Sequence, residues 1–253
     1  MKKIAMILAG GTGQRVGAEI PKQFLKVCGK EIIIHTLELF EHNQGIDEIY
    51  IACKEEWIPY LKKLLIKYEI DKVAKIFEGG TTRLDSIFSC LTEAKKDNED
   101  AIILIHDGVR PLITQDTINN CLESVEQYGT AITVNEVFET PIMSFDGESV
   151  GQMPQRNKCY TAQAPQGFLL NDLYNLHLQE RQINPGYEGL VDSCGLMFKY
   201  GINCHLVKGN RGNIKVTTPE DFYTLLSNLN MRDYEQIALL KENENAKTLK
   251  RTL

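Results

Sequence analysis

Short apolar runs along this chain alternate with stretches whose apolar positions recur every three or four residues. Ile4–Leu8 is an apolar run of strand length that stops at a glycine-rich loop. Ile32–Phe40 has helical spacing, Glu48–Cys53 reads as a strand, and Glu55–Tyr68 is helical, with apolar residues at 57, 61, 64, 65 and 68. Lys75–Phe77 is a short strand running into Gly79-Gly80, Asp85–Ala94 a helix, and Ala101–Ile105 (AIILI) a strand buried on both faces. Gln115–Tyr128 is a helix and Thr130–Val134 another strand. This rhythm predicts βαβ units, hence a three-layer α/β domain with a mainly parallel twisted sheet and helices on both sides.

Two regions break the rhythm. Residues 137–160 have no helical pattern, but Asp146-Gly147 between short apolar–polar runs is a hairpin signal. They predict a β-arm projecting from the sheet. Its apolar residues Val137, Phe138, Ile142 and Phe145 call for burial against a second subunit, so a homodimer is expected. Residues 228–253 are charged and weakly periodic, and read as a helix-permissive tail behind a domain over 1–227.

Composition narrows the function classes. The 253 residues are 43% hydrophobic and 25% charged, as in a soluble globular chain, and the net charge is −6. A mildly acidic chain is a poor general nucleic-acid binder, though it can hold a local basic pocket. Seven cysteines without a C-x-x-C motif read as reduced, mostly buried thiols of a cytoplasmic protein. The opening MKKIAMILAGG stops too soon for a leader, and no apolar stretch reaches the roughly 18 residues of a membrane span.

Residues 8–25 carry the densest chemistry. Gly10, Gly11 and Gly13 leave backbone N–H groups open to an anion, and Arg15 and Lys22 follow on the same loop. The spacing G-x-G-x-x-x-G differs from a dinucleotide fingerprint, and no G-K-[ST] follows as in a Walker A loop. Arg83 and Ser86 begin a helix after Gly79-Gly80, where open N–H groups suit a phosphate or a base edge. Asp107 ends a buried strand, where open α/β sheets bind ligands. Its carboxylate suits Mg²⁺, a ribose or a substrate hydroxyl, and Arg110 suits a phosphate. An ion pair between the two is the structural alternative. Lys215 lies in an alternating strand-like pattern, NIKVTT, and its side chain is as consistent with solvent as with an anion. His106 reads as a packing residue or backbone partner, and His35, His42, His177 and His205 as surface or packing histidines.

Six motifs in order resemble the cytidylyltransferases of sugar-alcohol phosphates, a nucleotidyltransferase group with a Rossmann-like fold of the nucleotide-diphospho-sugar transferase type. They are residues 8–25, EGGTTRLDS at 78–86, IHDGVRP at 105–111, PQRN at 154–157, QAPQGF at 163–168 and GNIKVTTPED at 212–221. The group contains the 2-C-methyl-D-erythritol 4-phosphate enzymes of isoprenoid synthesis and the ribitol 5-phosphate enzymes of surface-polymer synthesis. The resemblance covers about residues 3–227. It implies CTP contacts at Leu8, Ala9, Gly10, Gly11, Thr12, Gly13, Gly80, Thr81, Arg83 and Ser86. It implies catalytic roles for Arg15, Lys22 and Lys215, with Mg²⁺ at Asp107. It places Asp107, Arg110, Thr140, Arg156 and Asp192 on the acceptor, Thr140 and Arg156 reaching it from the neighbouring subunit.

Three departures bear on the acceptor. Ala164 stands for the family's usual threonine, Asp192-Ser193-Cys194 is closer to the D-A-C of the ribitol group, and Gly108-Val109 replaces two alanines frequent in the methylerythritol group. They point to a linear polyol phosphate of ribitol type, with the methylerythritol acceptor as the alternative. Two other readings compete. A nicotinamide-dependent oxidoreductase would use the glycine loop with Glu55 on ribose, but it leaves Arg15 and Lys22 without a task. A non-catalytic nucleotide sensor would not need Arg15, Lys22, Asp107 and Lys215 together.

Overall fold

The computed structural model describes residues 1–11 and 20–231. The expected strands form one sheet: β1 (Lys2–Ala9), β4 (Glu48–Cys53), β5 (Val73–Glu78), β6 (Ala101–Asp107) and β7 (Thr130–Glu136), joined by β8 (Tyr160–Leu169) and β9 (Leu206–Lys208). Two further strands, β2 (Lys26–Val27) and β3 (Lys30–Glu31), pair only with each other. The seven-stranded order is β5-β4-β1-β6-β8-β7-β9. Pairs β4–β5, β1–β4, β1–β6 and β7–β9 are parallel, whereas β8 runs antiparallel to both β6 and β7. The sheet is thus mainly parallel, as the alternating pattern predicts.

Period-two alternation divides the core between the faces. Ile102 and Leu104 of β6 join Ile7, Ile51, Leu37 and Phe40 on one side, beneath α1 (Ile32–Glu41), α2 (Ile58–Lys67) and α4 (Gln115–Tyr128). Ile103 and Ile105 join Met6, Tyr50, Ile87 and Leu173 on the other, beneath α3 (Arg83–Asp97), α5 (Leu170–Ile183) and α6 (Ser193–Lys199). Helix α4 starts on the Thr114 side-chain cap and ends at Gly129, whose φ of +77° suits the left-handed stop. A third cluster, with Val27, Ile32, Val109, Leu112, Val216 and Leu225, seats the helix over residues 219–231 beside the loop after β6. That helix runs past residue 227, so the start of the expected tail continues it. Residues 232–253 lie outside the described residues.

Two expectations are corrected. The arm between β7 and β8 is not a β-ribbon: it has a single bridge, Met143 with Gln152, and a one-turn 3-10 helix at Arg156–Lys158. Asp146 shapes its tip by accepting the backbone N–H groups of Glu148 and Ser149, with Gly147 at φ +79°. Side chain–backbone bonds of this kind replace a ladder. Residues 213–217 likewise form no strand. The Val216 N–H donates to the Val109 carbonyl, and the Asn213 amide to the Ala164 carbonyl, so the segment is tied at isolated points.

All seven cysteines are free, but only Cys53, Cys90 and Cys121 are buried, fewer than the apolar surroundings suggest. Among the described residues no helix is long and apolar enough to cross a membrane.

Candidate active site

From β1 the chain passes to β4 and β5 on one side, and then returns to β6 on the other. The carboxyl ends of β1 and β6 therefore flank a topological switch point, the place where open α/β sheets hold ligands. A cleft opens there, bounded by Ala9 at the end of β1 and Gly10 and Gly11 after it, by Lys22, by residues 80–83 and Ser86, and by Asp107 and Lys215.

The glycine loop leaves β1 without needing glycine for its own backbone. Neither Gly10 nor Gly11 has a positive φ, and a Cβ on either would meet no described atom within 4 Å. Both glycines line the cleft, and their lack of a side chain lets a ligand approach the backbone closely. Gln23 holds the loop's start. Its buried side-chain amide donates to the carbonyls of Ala9 at 2.5 Å and Gly11 at 3.1 Å, and its neighbour Lys22 opens the 3-10 turn Lys22–Phe24. Thr12, Gly13 and Arg15 lie outside the described residues.

The opposite wall is the start of α3. Thr82 and Asp85 form a reciprocal capping box, and Thr81 also donates to Asp85 at 2.7 Å. Burial pushes the Asp85 carboxyl up, but hydrogen bonds from Thr81, Arg181 and Thr82 outweigh it and hold it below its ordinary range. A Cβ at Gly80 would lie 2.3 Å from the Asp85 side chain, so this turn admits only glycine. Ser86 is buried and donates to the Thr82 carbonyl at 3.0 Å.

Asp107 is the centre of charge. Its Oδ1 lies 3.3 Å from Arg83 Nη2, and its Oδ2 lies 3.0 Å from Arg110 Nε and 3.3 Å from Lys215 Nζ. Burial raises the carboxyl's pKa, but Arg83, Lys215 and Arg110 more than offset this and keep it ionised well below the usual range. Three cations pair with one carboxylate, Lys22 adds a fourth to the cleft lining, and Arg83 Nη1 is buried without a hydrogen-bond partner among the described residues. Such a surplus suits an anionic ligand. Lys215 therefore faces the open cleft, with its ammonium on Asp107. His106 is wholly buried, contacts the Arg110 carbonyl at 3.1 Å, and is pushed down to about 4 by burial, as its packing role requires.

Four residues expected on the acceptor stand elsewhere. Arg110 does not line the cleft; its Nε and Nη1 serve Asp107 and the Asn213 carbonyl. Asp192 caps α6 through Gly195 N–H and accepts from Gln166 at 2.7 Å, so both its oxygens are engaged within the fold. Thr140 and Arg156 are exposed on the arm, Arg156 donating to the Phe138 carbonyl at 3.2 Å, and the single chain does not bring them to the cleft. Gln23 and Asn213 escaped the sequence reading because one buried amide looks like any other. The T-x-x-D spacing of Thr82 and Asp85 was a readable capping signal.

The family model for 2-C-methyl-D-erythritol 4-phosphate cytidylyltransferase (IspD) matches residues 3–229. A ribitol-5-phosphate cytidylyltransferase of Vibrio parahaemolyticus is 41% identical over 236 residues, 92% of this chain and 98% of that protein. One from Streptococcus agalactiae serotype V is 38% identical over 239 residues, 94% and 99% of the two chains. Among solved structures, 4-diphosphocytidyl-2C-methyl-D-erythritol synthase of Anaerococcus prevotii superposes with a TM-score of 0.78 at 25% identity, covering 90% of this chain and 96% of that one. The 2-C-methyl-D-erythritol 4-phosphate cytidylyltransferase of Thermus thermophilus gives 0.72 at 26% identity, covering 91% and 100%.

Proposed function

The chain belongs to the IspD family of cytidylyltransferases, and from that premise we propose that it joins the CMP part of CTP to ribitol 5-phosphate, releasing pyrophosphate. The observation that carries the reading is the cluster of Arg83, Arg110 and Lys215 on Asp107 at the switch point, with Lys22 lining the same cleft. The choice of ribitol rests on the full-length similarity to the ribitol-5-phosphate enzymes.

A phosphate monoester is largely dianionic at neutral pH, since its second pKa is near 6, and needs no base to attack. One of its oxygens forms a bond to the α-phosphorus of CTP. The bond from that phosphorus to the oxygen bridging the α- and β-phosphates breaks, and its electron pair leaves with pyrophosphate. The protein's task is to align the reactants and to offset charge that gathers on the phosphoryl oxygens. Lys22, Lys215 and Arg83 line the cleft in positions to do so, and Arg15 joins them by family resemblance. The loop at 9–11 and the α3 start would take the nucleotide.

Asp107 is the one carboxylate among the described residues lining the cleft, and Mg²⁺ is commonly held by one or two carboxylates together with substrate phosphates; with Arg83 turned to those phosphates and Arg110 kept on Oδ2, Oδ1 would be the oxygen left to hold it. When bound it neutralises phosphate charge. A second copy of the chain would cover the arm's apolar Phe138, Ile142, Phe145 and Met153, all exposed, and lend Thr140 and Arg156 to the neighbouring acceptor site. The free thiols agree with a cytoplasmic setting.

The test is pyrophosphate release from CTP and Mg²⁺ with ribitol 5-phosphate, beside glycerol, glucitol and methylerythritol phosphates. Preference for ribitol 5-phosphate is expected. Turnover of methylerythritol phosphate alone would move the enzyme to the other branch of its family.

A further inference from the structure

Arg110 stands next to the cleft without lining it, and its side chain is only 12% exposed. Its Nε donates to Asp107 Oδ2 at 3.0 Å, and its Nη1 donates to the Asn213 backbone carbonyl at 2.7 Å. That carbonyl begins the irregular segment that presents Lys215. With no ladder, the segment is tied down at separate points. The buried Val216 packs in the third cluster and its N–H reaches the Val109 carbonyl at 3.0 Å; Asn213 Nδ2 reaches the Ala164 carbonyl at 2.7 Å and Gln163 Oε1 at 3.1 Å; short-range bonds run from Asn213 N–H to Asn210, from Ile214 N–H to Gly212 and from the Thr217 hydroxyl to the Lys215 carbonyl. A lysine on such a segment is placed only as well as these contacts place it, and a misplacement of about 1 Å at a reacting centre can cost on the order of 10²-fold in rate.

Arg83 and Lys215 also pair with Asp107, but both line the cleft and can turn toward phosphates. Arg110 lies outside the cleft, so it keeps Asp107 paired when they turn. From this geometry, and resting on the cytidylyl-transfer reading above, we infer that Arg110 is a positioning residue. It clamps residues 213–216 to the end of β6 so that Lys215 meets the reacting phosphates, and it does not bind the acceptor phosphate. The planar fork is essential, because two of its nitrogens bridge a carboxylate and a carbonyl that one ammonium cannot span in the same way.

The experiment uses the full chain, Arg110→Lys, Arg110→Met, Lys215→Met and the double variant Arg110→Met/Lys215→Met. Melting curves would establish that each variant folds, Arg110→Lys being the gentler change. Amide exchange at Val216 should speed up about tenfold or more in both Arg110 variants, with β1 and β6 unchanged. The value of kcat should fall about tenfold or more, with KM for ribitol 5-phosphate within about threefold. Because Arg110 acts through Lys215, the double variant should be no slower than Lys215→Met alone. Unchanged exchange at Val216, losses that multiply in the double variant, or a raised KM at constant kcat would each overturn the clamp. An inactive wild-type chain with faster Val216 exchange in the variants would sink the reaction reading and keep the clamp. An active wild type with unaltered Val216 exchange would do the reverse.

Discussion

Lys215 Nζ lies 3.3 Å from Asp107 Oδ2, although the two residues come from distant parts of the chain. The lysine sits on a segment without regular structure, the carboxylate at the end of the most completely buried strand. Between them they bring the sixth motif of the sequence against the third. Asp107 also holds Arg83 from the α3 start.

Removing this lysine should therefore affect the chemical step more than binding. Lys215→Met is expected to lower kcat by roughly 10²-fold or more, with a much smaller change in CTP affinity by calorimetry. A loss confined to CTP affinity would assign Lys215 to ground-state binding.

Gly10→Ala separates the loop's fold from its ligand. A methyl there meets no described atom within 4 Å, and φ is not positive. Stability should stay within about 0.5 kcal/mol of wild type, while CTP affinity falls by about tenfold or more, close to 1.4 kcal/mol. Denaturant unfolding and calorimetry measure the two effects, and unaltered CTP binding would mean that the nucleotide does not approach residue 10.

The arm gives a complementation test. Arg156→Ala should raise KM for ribitol 5-phosphate and spare CTP binding, since a guanidinium suits a monoester phosphate. If the exposed arm serves the neighbouring copy, inactive Lys22→Ala chains mixed with inactive Arg156→Ala chains should recover one working site per heterodimer. Proven heterodimers without recovered activity would show that both residues serve their own chain.

Two buried histidines set the acid side of the stability curve. Burial pushes His106 down to about 4; burial and then Arg181 push His177 down to about 4 as well. The unfolded chain binds these protons from about pH 6.5, so between there and pH 4 it holds more protons than the folded chain. Stability is full above pH 6.5 and falls as pH drops through that window, by up to about 3 kcal/mol per imidazole. Urea midpoints should decline from pH 7 to pH 5, less steeply in His177→Gln. A flat wild-type profile would contradict the neutral, buried state of both rings.

The elements from β1 to β7 were legible because their apolar positions follow the periods of strand and helix, as in AIILI, where Ile102 and Leu104 face one core and Ile103 and Ile105 the other. Helix α5 gave no such signal. Its buried face is Leu170, Leu173, His177 and Glu180, half of it polar. Those polar groups are tolerated because Tyr187 meets His177 at 2.6 Å, and Lys199, Tyr200 and Asn184 meet Glu180, all from outside the helix. Strand β8 was obscured by Pro165 and Gly167, the glycine needed because a Cβ would lie 2.6 Å from Val125.

By itself the sequence determined the α/β class, the placing of Asp107 at a strand end, and the family, because these depend on local periodicity and on residue types in a fixed order. It could not decide which way Lys215 points, that Arg110 turns toward the Asn213 carbonyl, or that Asp192 caps a helix. Each of those outcomes depends on partners distant in the chain. A charged side chain settles where desolvation is offset by an opposite charge or a hydrogen bond, and only the folded chain brings those partners within reach.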